Sequence, residues 1–175
     1  MPNRDEFLSV LATDKGWDED KASRMLQYAN QVAAVESNNQ PDAVQPGGPG
    51  RGKYQFELGS GGSGRNKTSI GRMKNFIAKH GIQPQFDERD MAIINSDDPD
   101  FSLLSEDAQD AIFIADAAMG TMPTTDLVDG RLSPEDAWIK YHWAGSERDE
   151  PVRRKHWKDT HEYRQRMYAN AMRRQ

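Results

Sequence analysis

The stretch Ala22-Ser23-Arg24-Met25-Leu26-Gln27-Tyr28-Ala29-Asn30-Gln31-Val32-Ala33-Ala34-Val35-Glu36-Ser37 carries the strongest periodicity in this chain. Counting back from Glu36, Val32, Ala29, Met25 and Ala22 recur at spacings of four, three, four and three. That is the period of one buried face of an α-helix. Asp18 supplies an N-cap, so the predicted helix runs to Glu36 and places its carboxyl along the apolar side. Burial disfavours an ionised carboxylate, and the negative end of the helix dipole does the same, so both effects raise its pKa. A carboxyl still protonated near neutral pH can act as a general acid. The plain alternative is a helix-end glutamate rotated into water.

The segment from Asn38 to Glu57 is a Gly/Pro-rich loop that leads into Tyr54 to Leu58, read as a strand and half of a small hairpin. Elsewhere the chain reads as helical. Asn3 and Glu6 stand in capping-box positions for a helix to Ala12, and Thr68 to His80 is closed by Gly81. Asp87 caps a short helix through Asn95, and Ser105 caps one ending at Met119 before Gly120. Ser133-Pro134-Glu135-Asp136 opens a helix expected to end at Gly145, and Glu150 to Arg173 forms the last one. The Gly/Ser run Leu58 to Arg65 is flexible by composition, and reads equally as a mobile lip or a passive linker.

Composition describes one modest globular domain covering residues 1–175, with hydrophobic residues at 35%. No apolar run approaches the ~20 residues that span a bilayer, and Met1 to Asp5 lacks a signal-peptide core, so export by the usual route is not expected. The chain has no cysteine, which excludes disulfides and thiolate metal sites. Residues 151–175 hold eight Lys/Arg against two Asp/Glu, net +6, so the first 150 residues carry −11 of the overall −5. This basic helix, about 150–174, reads either as an anchor for anionic surfaces or as a helix docked on the acidic body. Trp157, Arg164 and Tyr168 fall on one side of it, which favours docking. The loop Gly47 to Lys53 lacks the Gly-Lys-Ser/Thr ending of a phosphate cradle. His156 and His161 do not share a helix face, and His80 and His142 lack acidic partners at ligand spacing, so neither a metal nor a cofactor is expected.

Glu36-Ser37 is followed by Gln40-Pro41-Asp42-Ala43-Val44, then Gly52-Lys53-Tyr54-Gln55, and late in the chain by Tyr141-His142-Trp143-Ala144-Gly145. This ordered set resembles the lytic transglycosylases of the lysozyme superfamily. They carry a helix-terminal Glu-Ser, an Asn-Pro-x-Ala-Val loop, a Gly-x-x-Gln strand and a Tyr-Asn-x-Gly element. Gly52-Lys53-Tyr54-Gln55-Phe56 and Leu104 to Ala111 are also similar to phage-lambda-type endolysins. His142 stands where the family pattern has Asn, and Arg51 and Lys53 charge a loop that is usually small and apolar. The resemblance implies a mainly α, α+β lysozyme-like fold: a helical domain, motif-bearing over about 18–146, with a small β-hairpin beside the active-site cleft.

The same resemblance makes Glu36 the catalytic acid, with Ser37, Gln55 and Tyr141 as hydrogen-bonding support and His142 beside them. Aromatic rings pack on the flat C–H faces of sugars, so Tyr54, Phe56, Tyr141 and Trp143 are candidate walls of a glycan cleft. Phe56 and Trp143 read better as core. A hydrolase needs a second carboxylate across the bond, and only Asp42 and Glu57 lie near in sequence. Lytic transglycosylases manage with one, and the implied reaction cleaves the MurNAc-GlcNAc β-1,4 bond with a 1,6-anhydro product. Peptidoglycan glycan strands and other virion proteins are the expected partners, with no specific nucleic acid and no transmembrane segment. The expected setting is a phage virion or the host cytoplasm before release, with action on the periplasmic wall. The alternative is a non-catalytic virion or glycan-binding protein that keeps the fold.

Overall fold

The computed structural model describes residues 3–143 and 145–173, with the side chains of Tyr168, Asn170 and Ala171 outside the description. At its centre lies helix α5, Glu106–Met119, in which every residue from Ala108 to Ala117 is buried. A helix buried on all sides must be covered by others. Helices α1 (Asn3–Lys15) and α3 (Arg65–His80) pack on it, and α2 (Glu19–Ser37) joins the same core. Helix α4 spans Glu88–Ile94, α6 Thr124–Val128 and α7 Pro134–Ala137, and α8 runs over Glu150–Met172. The fold is mainly helical with one small antiparallel hairpin, as expected.

The hairpin pairs β1, Gly50–Arg51, with β2, Phe56–Glu57, in the register Gly50 to Glu57 and Arg51 to Phe56. It is shorter than the expected Tyr54 to Leu58 strand, because Tyr54 and Gln55 belong to the turn. Gly52 and Gln55 both take positive φ there, 75° and 50°. A side chain at Gly52 would run into the Gln109 amide oxygen, so glycine is required at that point. Gln109 holds the turn from inside the core: its Oε1 accepts from Lys53 N at 2.7 Å and its Nε2 donates to Pro41 O at 2.9 Å.

Caps at Asp18, Asp87, Ser105 and Ser133 form as read, each side chain accepting a backbone N–H three residues on. The start of α1 differs. Asn3 is the first helical residue rather than a cap, and the Asp107 carboxylate of α5 accepts from Asn3 N and Arg4 N at 2.9 and 3.1 Å. The α1 donors that lack an intrahelical partner are thus satisfied by a neighbouring helix. The helix expected from Ser133 to Gly145 also changes character: α7 ends at Ala137 and continues as a π-helical turn, Trp138–Trp143. Such turns are rare and cluster at functional sites.

Both charged loop residues are engaged. Lys53 is 3% exposed, and its Nζ meets Asp110 Oδ1 at 2.9 Å and Glu106 Oε1 at 2.8 Å. Arg51 donates to Gly48 O at 2.9 Å and lies 3.5 Å from Asp100. The Gly/Ser run is tied at both ends, since Gly59 N and Ser60 N donate to Asp98 and Ser63 N donates to Glu57 Oε2 at 2.9 Å.

Candidate active site

Helix α2 ends because Asn38 and Asn39 both adopt the left-handed conformation, with φ of 56° and 61°. Ser37 fastens that end to the hairpin turn: its hydroxyl donates to Lys53 O at 2.7 Å and accepts from Gln40 N at 3.1 Å. The last turn therefore sits beside the hairpin, and Glu36 enters a cleft of about 650 Å³ bordered by Gln55, Glu57, Arg65, His142, Arg153 and His156. The Glu36 side chain is 13% exposed. Its Oε1 accepts from the indole Nε1 of buried Trp138 at 2.6 Å.

Burial pushes the Glu36 carboxyl above the usual carboxylate range. The Trp138 hydrogen bond opposes that shift, and so do the positive charges of Arg153 and Arg65. The Trp138 bond falls on Oε1, so a proton retained by this carboxyl belongs on Oε2. That is the geometry of an acid with one oxygen held and the other available.

His142 lies 3.8 Å from Glu36 Oε1, yet the two are not an ion pair. Its Nε2 is 2.9 Å from the Tyr54 carbonyl oxygen, which can only accept, so the ring proton sits on Nε2. Burial, reinforced by the charge of Arg65, drives the imidazole pKa well below its ordinary value. His142 is therefore a neutral brace between the π-helical turn and the hairpin, packed against Phe56 and Phe113.

The residues expected at the site divide. Glu36, Gln55 and His142 line one cleft. Ser37 sits beside Glu36 in the chain, but its hydroxyl is spent on the backbone. Tyr54 turns into the core: it is 1% exposed, stacks on Phe113 at 4.1 Å and donates its hydroxyl to Asp110 at 2.7 Å. Phe56 is core as well, whereas half-buried Trp143 borders the cleft. Tyr141 lines a second cavity of about 350 Å³, which shares Ser63, Arg65 and His142 with the Glu36 cleft. Of the two neighbouring carboxylates, Glu57 is in the Glu36 cleft and Asp42 is exposed on the loop.

Trp138, Arg65, Arg153 and His156 were not anticipated as part of the site. Trp138 is four residues before His142, so a shared helix face was the available signal. The basic helix is docked: Trp157 is 6% exposed and lies 5.3 Å from the Trp138 ring, His156 Nε2 is 3.1 Å from Val35 O, and Arg164 donates to Asn38 Oδ1 at 2.7 Å. The expected contribution of Tyr168 lies outside the described residues. The successive cations Arg153, Arg154 and Lys155 have different surroundings. Arg153 faces the cleft and Arg154 pairs with Glu135, Asp136 and Glu150, while Lys155 stays on the surface beside Asp159.

Among the described residues no group of three His, Asp or Glu could hold a metal, and no helix is long and apolar enough to cross a membrane. No family model matches the chain, and neither a curated protein nor a solved structure matches it significantly.

Proposed function

We propose that this protein is a peptidoglycan lytic transglycosylase built on a lysozyme-like fold and borne by a phage, with Glu36 as its acid and base. The observation that carries this reading is the Glu36 carboxyl itself, raised by burial in an open cleft and held through Oε1 by Trp138. In the reaction, Oε2–H gives its proton to the oxygen bridging N-acetylmuramic acid and N-acetylglucosamine, and the C1–O bond breaks. The resulting carboxylate takes the proton of the muramyl C6 hydroxyl as that oxygen bonds to C1. No water is consumed and Glu36 ends protonated. The Trp138 N–H and the cation Arg65 steady the carboxylate while it is charged.

Glu57 favours a second reading, hydrolysis, because it shares the cleft with Glu36 and a hydrolase needs a second carboxylate. Its Oε2 already accepts from Ser63 N, which makes it the less available partner. Mass spectrometry of digested sacculi decides between the two. Muropeptides with 1,6-anhydromuramic ends, unchanged by borohydride, are expected. Predominantly reducible muramic ends would assign Glu57 the second role.

A further inference from the structure

Neighbouring arginines on α8 have opposite fates. Arg154 meets the carboxylates of Glu135, Asp136 and Glu150 at 3.0, 2.8 and 2.6 Å. One position earlier, Arg153 turns about 100° around the helix into the Glu36 cleft, where its guanidinium lies 4.8 Å over the Trp143 ring. Among the described residues no carboxylate pairs with it. The other cleft arginine, Arg65, is compensated by Asp116 at 3.7 Å. Arg153 is thus a half-buried cation prepositioned by an aromatic ring, with its hydrogen-bonding fork unused by any acidic side chain among the described residues.

We propose that Arg153 is a specificity residue that binds a carboxylate of the peptide substituent on the glycan, which rests on the peptidoglycan reading of the cleft. The substrate class is then an anionic glycan carrying acidic peptides, in preference to a neutral β-1,4 glycan. A planar guanidinium suits a carboxylate, and its stacking on Trp143 fixes the plane before substrate arrives. The location gives the contact a consequence for chemistry. Arg153 is the foremost charge favouring ionised Glu36, and a substrate anion seated on it cancels that field when the acid must hold its proton.

The test separates binding from turnover. Co-sedimentation of the Glu36→Gln protein is measured with native sacculi and with sacculi whose carboxyl groups have been converted to methylamides. Native sacculi should bind at least ~10-fold more tightly, the scale of a charge-assisted contact. Adding Arg153→Gln should close that gap, and Arg153→Lys should keep part of it. Lys158→Gln, a change to an exposed cation of the same helix, should leave the gap intact. Equal binding of both sacculus forms, or a gap closed as much by Lys158→Gln as by Arg153→Gln, overturns the proposal. Cleavage of native sacculi by the wild-type protein tests the glycosidase reading separately, so a binding gap without turnover would uphold Arg153 and reject the enzyme.

Discussion

Replacing Trp138 by Phe removes the indole N–H that meets Glu36 Oε1 at 2.6 Å while keeping an aromatic ring behind it. That bond stabilises the carboxylate more than the neutral acid, so its loss must weaken Glu36 as an acid. A hydrogen bond to a charged group contributes ~1.5–3 kcal/mol. One pH unit corresponds to ~1.4 kcal/mol, so the alkaline limb of the pH–activity profile should move up by at least about one unit. The direction follows from the role: an acid that holds its proton to higher pH stays competent to higher pH. The plateau rate should fall as well, because the bond also decides which oxygen carries the proton. Turbidity loss of purified sacculi across roughly pH 5 to 9 reads both effects. Carbon NMR of the Glu36 carboxyl, assigned by difference against Glu36→Gln, follows the titration without turnover. An unmoved or lowered limb, with an unmoved NMR midpoint, would refute the Trp138 role.

Trp157→Ala should cost ~3–5 kcal/mol of folding stability, as truncation of a large buried aromatic, and an unchanged melting temperature would argue against docking of α8. Lys53→Ala leaves buried Asp110 without its closest cation and should destabilise by ~3–5 kcal/mol, whereas exposed Lys67→Ala should be neutral in the same melts. Glu36→Gln should melt higher than the parent at neutral pH. The folded state holds the Glu36 proton more strongly than the unfolded chain, so parental stability falls as pH rises through the range above the ordinary carboxyl value of 4.5. The difference in melting temperature between the two proteins should therefore vanish in acid, and a difference independent of pH would rule out burial of the carboxyl as its source.

Features with local causes were legible in the chain. The caps at Asp18, Asp87, Ser105 and Ser133 each bond a backbone N–H three residues away, so short-range sequence contains the whole interaction. The α2 stripe is equally local, although buried Tyr28 belongs to it beside Met25, Ala29 and Val32. What escaped depends on distant partners. Trp138 and Glu36 are 102 residues apart, and no periodicity links an indole to a carboxyl across that separation. Strand β1 is a Gly-Arg pair inside a glycine-rich loop, with too little side-chain pattern to mark it. Tyr54 looked like a cleft wall because it adjoins the site in sequence. The positive φ of Gly52 and Gln55 on either side of the Lys53-Tyr54 pair belongs to a turn that directs the ring toward Asp110 and Phe113. Arg153 and Arg154 differ only in which side of a docked helix they occupy.

Digestion of purified sacculi by the wild-type and Glu36→Gln proteins, both verified as folded by their melting curves, bears most directly on Glu36 as the acid. The substitution keeps size and packing but removes the transferable proton. Activity should fall by at least ~10²-fold, the usual contribution of positioned general acid catalysis. A folded Glu36→Gln protein that still clears sacculi at the wild-type rate would contradict the assignment.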